Sequence, residues 1–302
     1  MQPWSPPTPV DTWHLVAGAD ALRPGRVLPV EVGGERSLVA VGPAGPFTLR
    51  ARCPHQGADL SGGRLDGERL RCPLHGLGFS PDGRCDRAGV PAAAPGTVDV
   101  GAGAVFVHPA PARGRVPLPE RFGPLAWSAA RPERVPVPWT TILVNAFDLH
   151  HLRPVHRREV VSPPVLDQPA PDQLRMRYAT RPIGRGLSDR VTRALSPAPL
   201  DIHLTLVGAL LMWVEVDLGR ARTTAVVGLT PRGEETVLWL AVGVPRTLGW
   251  SLRARLARWL YRTFLRRDLP ILRDVRLSPR SDLPEDATVQ RLVDFLEARP
   301  GR

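Results

Sequence analysis

Four residues constrain this chain more than any others: Cys53, His55, Cys72 and His75. They stand as Cys-x-His and Cys-x-x-His, with sixteen residues between the pairs, inside CPHQGADLSGGRLDGERLRCPLHG. A zinc finger of the usual kind places two cysteines first and two histidines later. Here each loop supplies one thiolate and one imidazole. That order suits a binuclear cluster in which two cysteines hold one iron and two histidines the other. Gly57, Gly62, Gly63, Gly76 and Gly78 let the loops bend tightly and aim backbone N–H groups at the sulfurs. Cys85 lies outside the pattern and is expected as a free structural thiol, three cysteines being a poor disulfide framework.

The surrounding chain carries short alternating apolar segments, such as Arg26-Val27-Leu28-Pro29-Val30 and Leu38-Val39-Ala40-Val41, punctuated by glycine. Residues 12–108 therefore predict an all-β domain. A proline-rich stretch over 109–124 predicts an extended linker, and 125–302 a second domain. The four-residue motif resembles the Rieske [2Fe-2S] motif. Rieske proteins of respiratory complexes add one cysteine to each loop, whereas Ala58 and Leu74 stand in those places here. The unstapled form resembles the ferredoxin and oxygenase branch, which implies a potential toward the low end of the Rieske range.

A Rieske ferredoxin would stop near residue 110, and this chain continues. The string NAFDLHHLRPVH, residues 145–156, follows the apolar run 141–144 and contains the only asparagine of the chain, Asn145. Pro138-Trp139-Thr140-Thr141 predicts a helix start with Thr140 as N-cap. In a helix Asp148 and His151 share a face, while His151 and His156 do not. Pro154 between the histidines removes a helical N–H, so the helix should kink or end and let His156 swing back toward His151. Two imidazoles joined by a carboxylate from elsewhere form the facial triad of non-haem Fe(II) oxygenases.

Candidates for that carboxylate are Asp201, Glu215, Asp217, Asp268 and Asp274. Asp268 ends a basic amphipathic segment over 248–267, where a helix dipole disfavours a carboxylate and a metal would offset the cost. Asp274 is second choice, and a plain ion pair of Asp268 with Arg266 or Arg267 is the competing explanation. The segment itself, with apolar Leu252, Leu256, Trp259, Leu260 and Phe264 between arginines, predicts a helix laid on one face of a sheet with its arginines in solvent. Strands are predicted in LDIHLTLV, LLMWVEVDL and TVLWLAVGV. Among them Leu206, Leu211, Met212, Trp213 and Leu238 would line a hydrophobic pocket or serve as core.

Asn145, Asp148, His151 and His156 match the N-x2-D-x2-H-x4-H signature, so the chain resembles Rieske non-haem iron oxygenases. The resemblance implies an α+β terminal oxygenase: an N-terminal all-β Rieske domain and a catalytic domain of antiparallel sheet gripped by helices. It implies a Rieske cluster on Cys53, His55, Cys72 and His75 and mononuclear Fe(II) on His151, His156 and an aspartate. The Asp268 segment, with Ile271 three residues on, is similar to the family's ligand segment and to its monooxygenating, α-only branch. Asp148 would join the histidines to a Rieske histidine of a neighbouring subunit in a homotrimer, and His150 would be a bystander. O2 would be co-substrate, and electrons would arrive from NAD(P)H through a ferredoxin or reductase. The rival expectation is a Rieske electron-transfer or ligand-binding protein without oxygenase chemistry.

The formal charge of +11 is carried by arginine alone, with no lysine. An acidic protein partner or the arginine usage of a GC-rich genome would each account for it. The arginines are scattered rather than interleaved with aromatics, which argues against nucleic acid. No stretch is long enough to span a bilayer and the start lacks the pattern of a signal peptide, so a reducing, cytoplasmic setting is expected.

Overall fold

The computed structural model describes residues 4, 6, 8–112, 114–278, 280–281 and 283–298; the last residues of the expected second domain, 299–302, and part of the N-terminal stretch lie outside it. The first nine strands build three small antiparallel sheets. Strands β1 (His14–Gly18), β8 (Thr97–Gly101) and β9 (Ala104–His108) form one. Strands β2 (Val27–Val32), β3 (Glu35–Gly42) and β4 (Gly45–Arg50) form the second. The short β5 (Arg64–Asp66), β6 (Arg69–Arg71) and β7 (Gly78–Phe79) form the third, which carries the second cysteine loop.

Residues 109–124 hold no strand or helix among those described. They are nonetheless fastened to β8. Val116 donates its backbone N–H to Asp99 at 3.0 Å, Arg115 adds an ion pair to the same carboxylate at 2.8 Å, and Ala112 N–H reaches Thr97 Oγ1 at 2.7 Å.

A nine-stranded antiparallel sheet follows, in the order β10 (Leu125–Trp127), β18 (Glu235–Pro245), β17 (Arg222–Arg232), β16 (Leu211–Asp217), β15 (Leu200–Val207), β14 (Gln173–Pro182), β12 (Arg158–Val160). Strand β11 (Arg131–Val135) also pairs with β18, and β13 (Val165–Asp167) with β14. Four helices accompany it: α1 (Trp139–Phe147), α2 (Leu187–Leu195), α3 (Trp250–Leu272) and α4 (Ala287–Glu297).

Strand alternation decides which residues face which layer. Leu211, Trp213, Val226 and Ala241 point to one side, where they share a core with Leu15 and Phe106 of the first sheet and with Trp13 just before it. Met212, Leu204, Leu206, Val227 and Leu238 point to the other, against α1, α3 and α4. Of the five residues expected at a pocket, only Met212 and Leu238 line the cavity described below; Leu206, Leu211 and Trp213 are core.

Two helical expectations change. The N-cap of α1 is Pro138, whose side chain offers no hydrogen bond, and Thr140 is buried one position inside the helix. Helix α3 turns a different face to the sheet than its large apolar residues suggest. It buries Ala254 and Ala257 and sets Arg258 against Ser128 Oγ at 2.8 Å and the Ala129 carbonyl at 2.6 Å. Leu252 stays 71% exposed, and Leu256, Trp259 and Phe264 are exposed by more than a third. Small residues let the helix approach the sheet closely, and Leu256, Leu260 and Phe264 are left to wall a cavity.

Candidate metal centres and the cavity between sheet and helices

The two cysteine loops fold alike. Cys53 N–H donates to the Ala58 carbonyl and Cys72 N–H to the Leu77 carbonyl, both at 2.8 Å. Four residues beyond each cysteine a glycine in the left-handed region, Gly57 (φ 75°) or Gly76 (φ 70°), returns its N–H to the cysteine carbonyl at 2.8 and 3.0 Å. An L side chain is strained at that φ, so glycine is required in both loops. A third glycine allows the loops to meet: a Cβ on Gly63 would fall 2.3 Å from the Arg71 carbonyl oxygen. The repeated Cys-Pro-x-x-Gly is visible in the sequence once the loops are aligned on their cysteines.

This geometry separates the donors by environment. Cys53 and Cys72 are 2% and 3% exposed, set in a core with Leu38, Leu60, Leu70 and Phe79. His55 and His75 are exposed at the loop tips, with ring centroids 4.9 Å apart. Burial pushes the Cys53 thiol up and the adjacent Cys72 sulfur adds to it, against the N–H groups of His55 and Gln56. Two sulfurs sharing a dry pocket, with two imidazoles opposite, fit a binuclear cluster with one buried and one exposed iron. Cys85 is unpaired and half-buried, its Sγ accepting the Arg87 N–H at 3.5 Å.

The second constellation departs locally from a continuous helix. α1 ends at Phe147, and Asp148 takes an extended conformation as its C-cap. Its carboxylate then accepts the His150 N–H at 2.7 Å and so opens a 3-10 turn over His150–Leu152. Asp148 and His151 still meet, at 3.6 Å between Oδ2 and Nδ1, an ion-pair contact too long for a hydrogen bond. Burial pushes the Asp148 carboxyl up, but His151 and the His150 and His151 N–H groups outweigh it and hold the group below its ordinary value. The chain continues with Val155 N–H to the His151 carbonyl and His156 N–H to the Leu152 carbonyl, which brings the two rings to 5.0 Å. His150 is exposed and points elsewhere.

Asp268, on the last turns of α3, completes the group. One ligand atom from each of His151, His156 and Asp268 lies within 4.8 Å of the others. Asp268 Oδ1 stands 2.7 Å from His156 Nε2 and 3.7 Å from His151 Nε2. The 2.7 Å contact is off line for a hydrogen bond and the His151 contacts are too long for one, so all four ring nitrogens and Asp268 Oδ1 are buried without a hydrogen-bond partner. Burial lowers the His156 pKa, with Asp268 opposing, so the neutral imidazole needed by a metal is favoured. Three side chains that each bring one unpartnered ligand atom into a dry pocket fit a divalent metal of the two-histidine, one-carboxylate type.

The other carboxylates are elsewhere. Asp274 is exposed, Asp201 pairs with Arg121 and Asp217 with Arg222, and Glu215 is buried on β16 outside the group. Nor does Asp268 pair with its arginine neighbours: Arg266 faces Glu133 and Arg267 faces Asp189.

Three features of this centre carried no sequence signal. The Phe264 ring stacks on His156 at 3.5 Å between centroids and 3° between planes. Arg157, between His156 and Arg158, has φ 54°, a strained value for a side chain with a Cβ. Its carbonyl is held by the N–H groups of Ile183 at 2.8 Å and Gly184 at 3.3 Å, and the twist sends His156 inward and Arg158 to the cavity wall. The third is the cavity itself, about 550 Å³ between the sheet and α3, with His151, Asp268 and Asn145 at its wall beside Leu204, Met212 and Leu260.

Comparison with known proteins adds the family. Residues 12–107 match the family model of the Rieske [2Fe-2S] domain. The N-terminal domain is a Rieske domain. Over 75 residues it is 41% identical to the oxygenase component of chloroacetanilide N-alkylformylase from Rhizorhabdus wittichii, covering 25% of this chain and 22% of that protein. The chain thus aligns with only about a fifth of the length of such curated relatives. Solved structures extend the likeness over most of the chain. NdmA of Pseudomonas putida CBB5 with caffeine superposes with a TM-score of 0.75 at 17% identity, over 95% of this chain and 90% of that one. Dicamba monooxygenase bound to dicamba gives 0.74 at 16% identity, over 96% of each chain. At such identities the likeness establishes fold: the Rieske domain is followed by a sheet-and-helix domain, in the α+β architecture of these two solved structures.

Proposed function

We propose that the chain is the terminal component of a Rieske non-haem iron oxygenase, oxidising a small, largely hydrophobic organic substrate by monooxygenation, as hydroxylation or demethylation. The observation that carries this is the convergence of His151, His156 and Asp268, their donor atoms unpartnered, at the end of an apolar cavity downstream of a Rieske domain. In this reading residues 12–108 are the electron-transfer domain, 109–124 the connecting strap and 125–302 the catalytic domain.

Cys53, His55, Cys72 and His75 would hold the [2Fe-2S] cluster, and His151, His156 and Asp268 a mononuclear Fe(II). Bound there, the cluster relays single electrons and the Fe(II) activates O2. The chain's own part is positional. Met212, Leu204 and Leu260 exclude water around the substrate, and Asn145 offers an amide at the wall. Asp148 faces His151 Nδ1, orients that ring, and would connect it to a Rieske imidazole of the next subunit in a homotrimer. A ferredoxin or reductase supplied by NAD(P)H would dock where His55 and His75 are exposed. Among the described residues no helix is long and apolar enough to cross a membrane, which accords with a cytoplasmic enzyme.

Metal analysis tests the reading. The wild type should hold three irons and two labile sulfides per chain, and Asp268→Ala should lose one iron while keeping the Rieske spectrum. Wild-type protein with two irons only, and no O2-dependent reoxidation of the reduced cluster, would return the chain to an electron-transfer protein.

A further inference from the structure

The cavity is unevenly charged. Among the described residues five arginines line it, Arg158, Arg220, Arg222, Arg253 and Arg267, against one acidic residue, Asp268, which the reading above commits to the metal. Four of the five are engaged. Arg222 pairs with Asp217 at 3.2 Å, and Arg220 donates to the Ala194 carbonyl at 3.0 Å. Arg253 donates to Thr247 Oγ1 at 2.8 Å, and Arg267 to Ser188 Oγ at 2.9 Å and the His156 carbonyl at 3.2 Å.

Arg158 differs. It is 9% exposed, its Nη2 donates to Thr192 Oγ1 at 3.1 Å, and its Nη1 is buried with no partner. Thr192 passes its own hydroxyl proton to the Ser188 carbonyl at 2.8 Å, so it serves Arg158 only as a neutral acceptor. The acid whose field Arg158 feels most is Asp189. Its Oδ2 contacts Arg267 at 3.8 Å and accepts the Gly186 N–H at 3.2 Å, its Oδ1 is buried without a hydrogen-bond partner, and no ion pair joins it to Arg158 among the described residues. A buried cation with no acid in direct contact is costly, and a guanidinium fork is shaped for a planar anion.

We propose that the cavity selects substrates bearing a carboxylate, an apolar body lying along β15 and β16 with its acid group against Arg158. This deepens the oxygenase reading, on which it depends for the cavity being the substrate site. The walls are otherwise apolar, and the cavity volume suits a ring system with one acid group. A site built around an unmet charged donor rejects the neutral isostere, because binding that isostere leaves the donor buried and unpaired.

The test is equilibrium binding of matched acid and amide pairs to the holoprotein, followed by tryptophan fluorescence and calorimetry: benzoate with benzamide, cinnamate with cinnamamide, 2-naphthoate with 2-naphthamide. At least one acid should bind about tenfold or more tightly than its amide, the scale of a charge-assisted hydrogen bond. Arg158→Met should abolish that preference and Arg158→Lys should keep part of it. The wild-type comparison decides even if a variant misfolds. Amides matching their acids across the panel, no acid binding at all, or a preference that survives Arg158→Met would each overturn the proposal. Iron content of the same preparation separates the two ideas. A two-iron protein that still prefers acids sinks the oxygenase reading and leaves the anion site, whereas a three-iron protein without preference sinks the anion site alone.

Discussion

Replacing Phe264 by leucine should weaken the mononuclear metal site without touching a ligand. A metal-bound histidine is ordinarily oriented by a hydrogen bond from its second ring nitrogen. His156 has no such bond at either nitrogen, and what lies against it instead is the flat face of Phe264, 3.5 Å between centroids and 3° from parallel. Phe264 precedes Asp268 by four residues on α3, so one helical face delivers both the carboxylate and the aromatic plate. Two neutral rings avoid a face-to-face stack, but an imidazole made electron-poor by a cation is drawn to a π face. The stack therefore favours the metal-loaded state. Aromatic pairs contribute roughly 0.5–1.5 kcal/mol beyond their buried area, and leucine keeps most of the apolar cover. At about 1.4 kcal/mol per decade, Phe264→Leu should lower Fe(II) affinity about 2- to 12-fold, with Phe264→Tyr near wild type. The assay is an anaerobic competition titration against a chromophoric chelator, on protein stripped of mononuclear iron but retaining its cluster absorbance. Unchanged affinity in Phe264→Leu would refute the orienting role. A loss as deep as that of Asp268→Ala would show that the ring holds up the site as a whole.

Asp148→Asn should keep both metal centres filled, since an amide oxygen can still accept the His150 N–H, yet slow electron passage; single-turnover reoxidation of the pre-reduced cluster at the wild-type rate would reduce Asp148 to a helix cap. If the charge of +11 serves an acidic ferredoxin, cluster reduction by that donor should slow steeply with rising salt, and a salt-independent rate would leave arginine usage as the whole explanation. Burial lowers the His14 pKa to about 4, against a hydrogen-bonding contribution from the Val10 carbonyl, so the folded state keeps this ring neutral while the unfolded state protonates near 6.5. The ring's penalty is absent above pH 6.5, grows as pH falls toward 4 to about 3 kcal/mol, and is constant below; urea unfolding of His14→Gln should lose correspondingly less stability than wild type over that window.

What could be read in advance follows from how local each feature is. Each cysteine loop is closed by bonds within six residues, so Cys53 to Ala58 and Cys72 to Leu77 advertise themselves by spacing and by glycines at forced φ values. The histidine pair is nearly as local, though its geometry differs from the helical one. Asp148 leaves the helix, spends its carboxylate on the His150 N–H, and reaches His151 across a turn instead of along a helical face. Asp268 could be singled out because a carboxylate near the end of a basic helix invites an explanation and because its segment resembles the family's ligand segment; in the fold no arginine among the described residues pairs with it.

The features that escaped are those a one-dimensional pattern misreads. Periodic large apolar residues ordinarily mark the buried face of a helix, and on α3 that inference puts Leu256, Leu260 and Phe264 against the sheet. The sheet instead receives Ala254 and Ala257, since only small side chains let β18 and the helix approach while Arg258 threads to the Ala129 carbonyl. The displaced apolar row then faces the cavity beside His151 and Asp268. Arg158 obeys the same logic from the opposite wall. An arginine on an edge strand is read as solvated, but after the left-handed turn at Arg157 it is buried, with Nη2 on Thr192 and Nη1 without a hydrogen-bond partner. One ligand, apolar along its length and acidic at one end, would cover the apolar wall and meet Arg158 Nη1 at once.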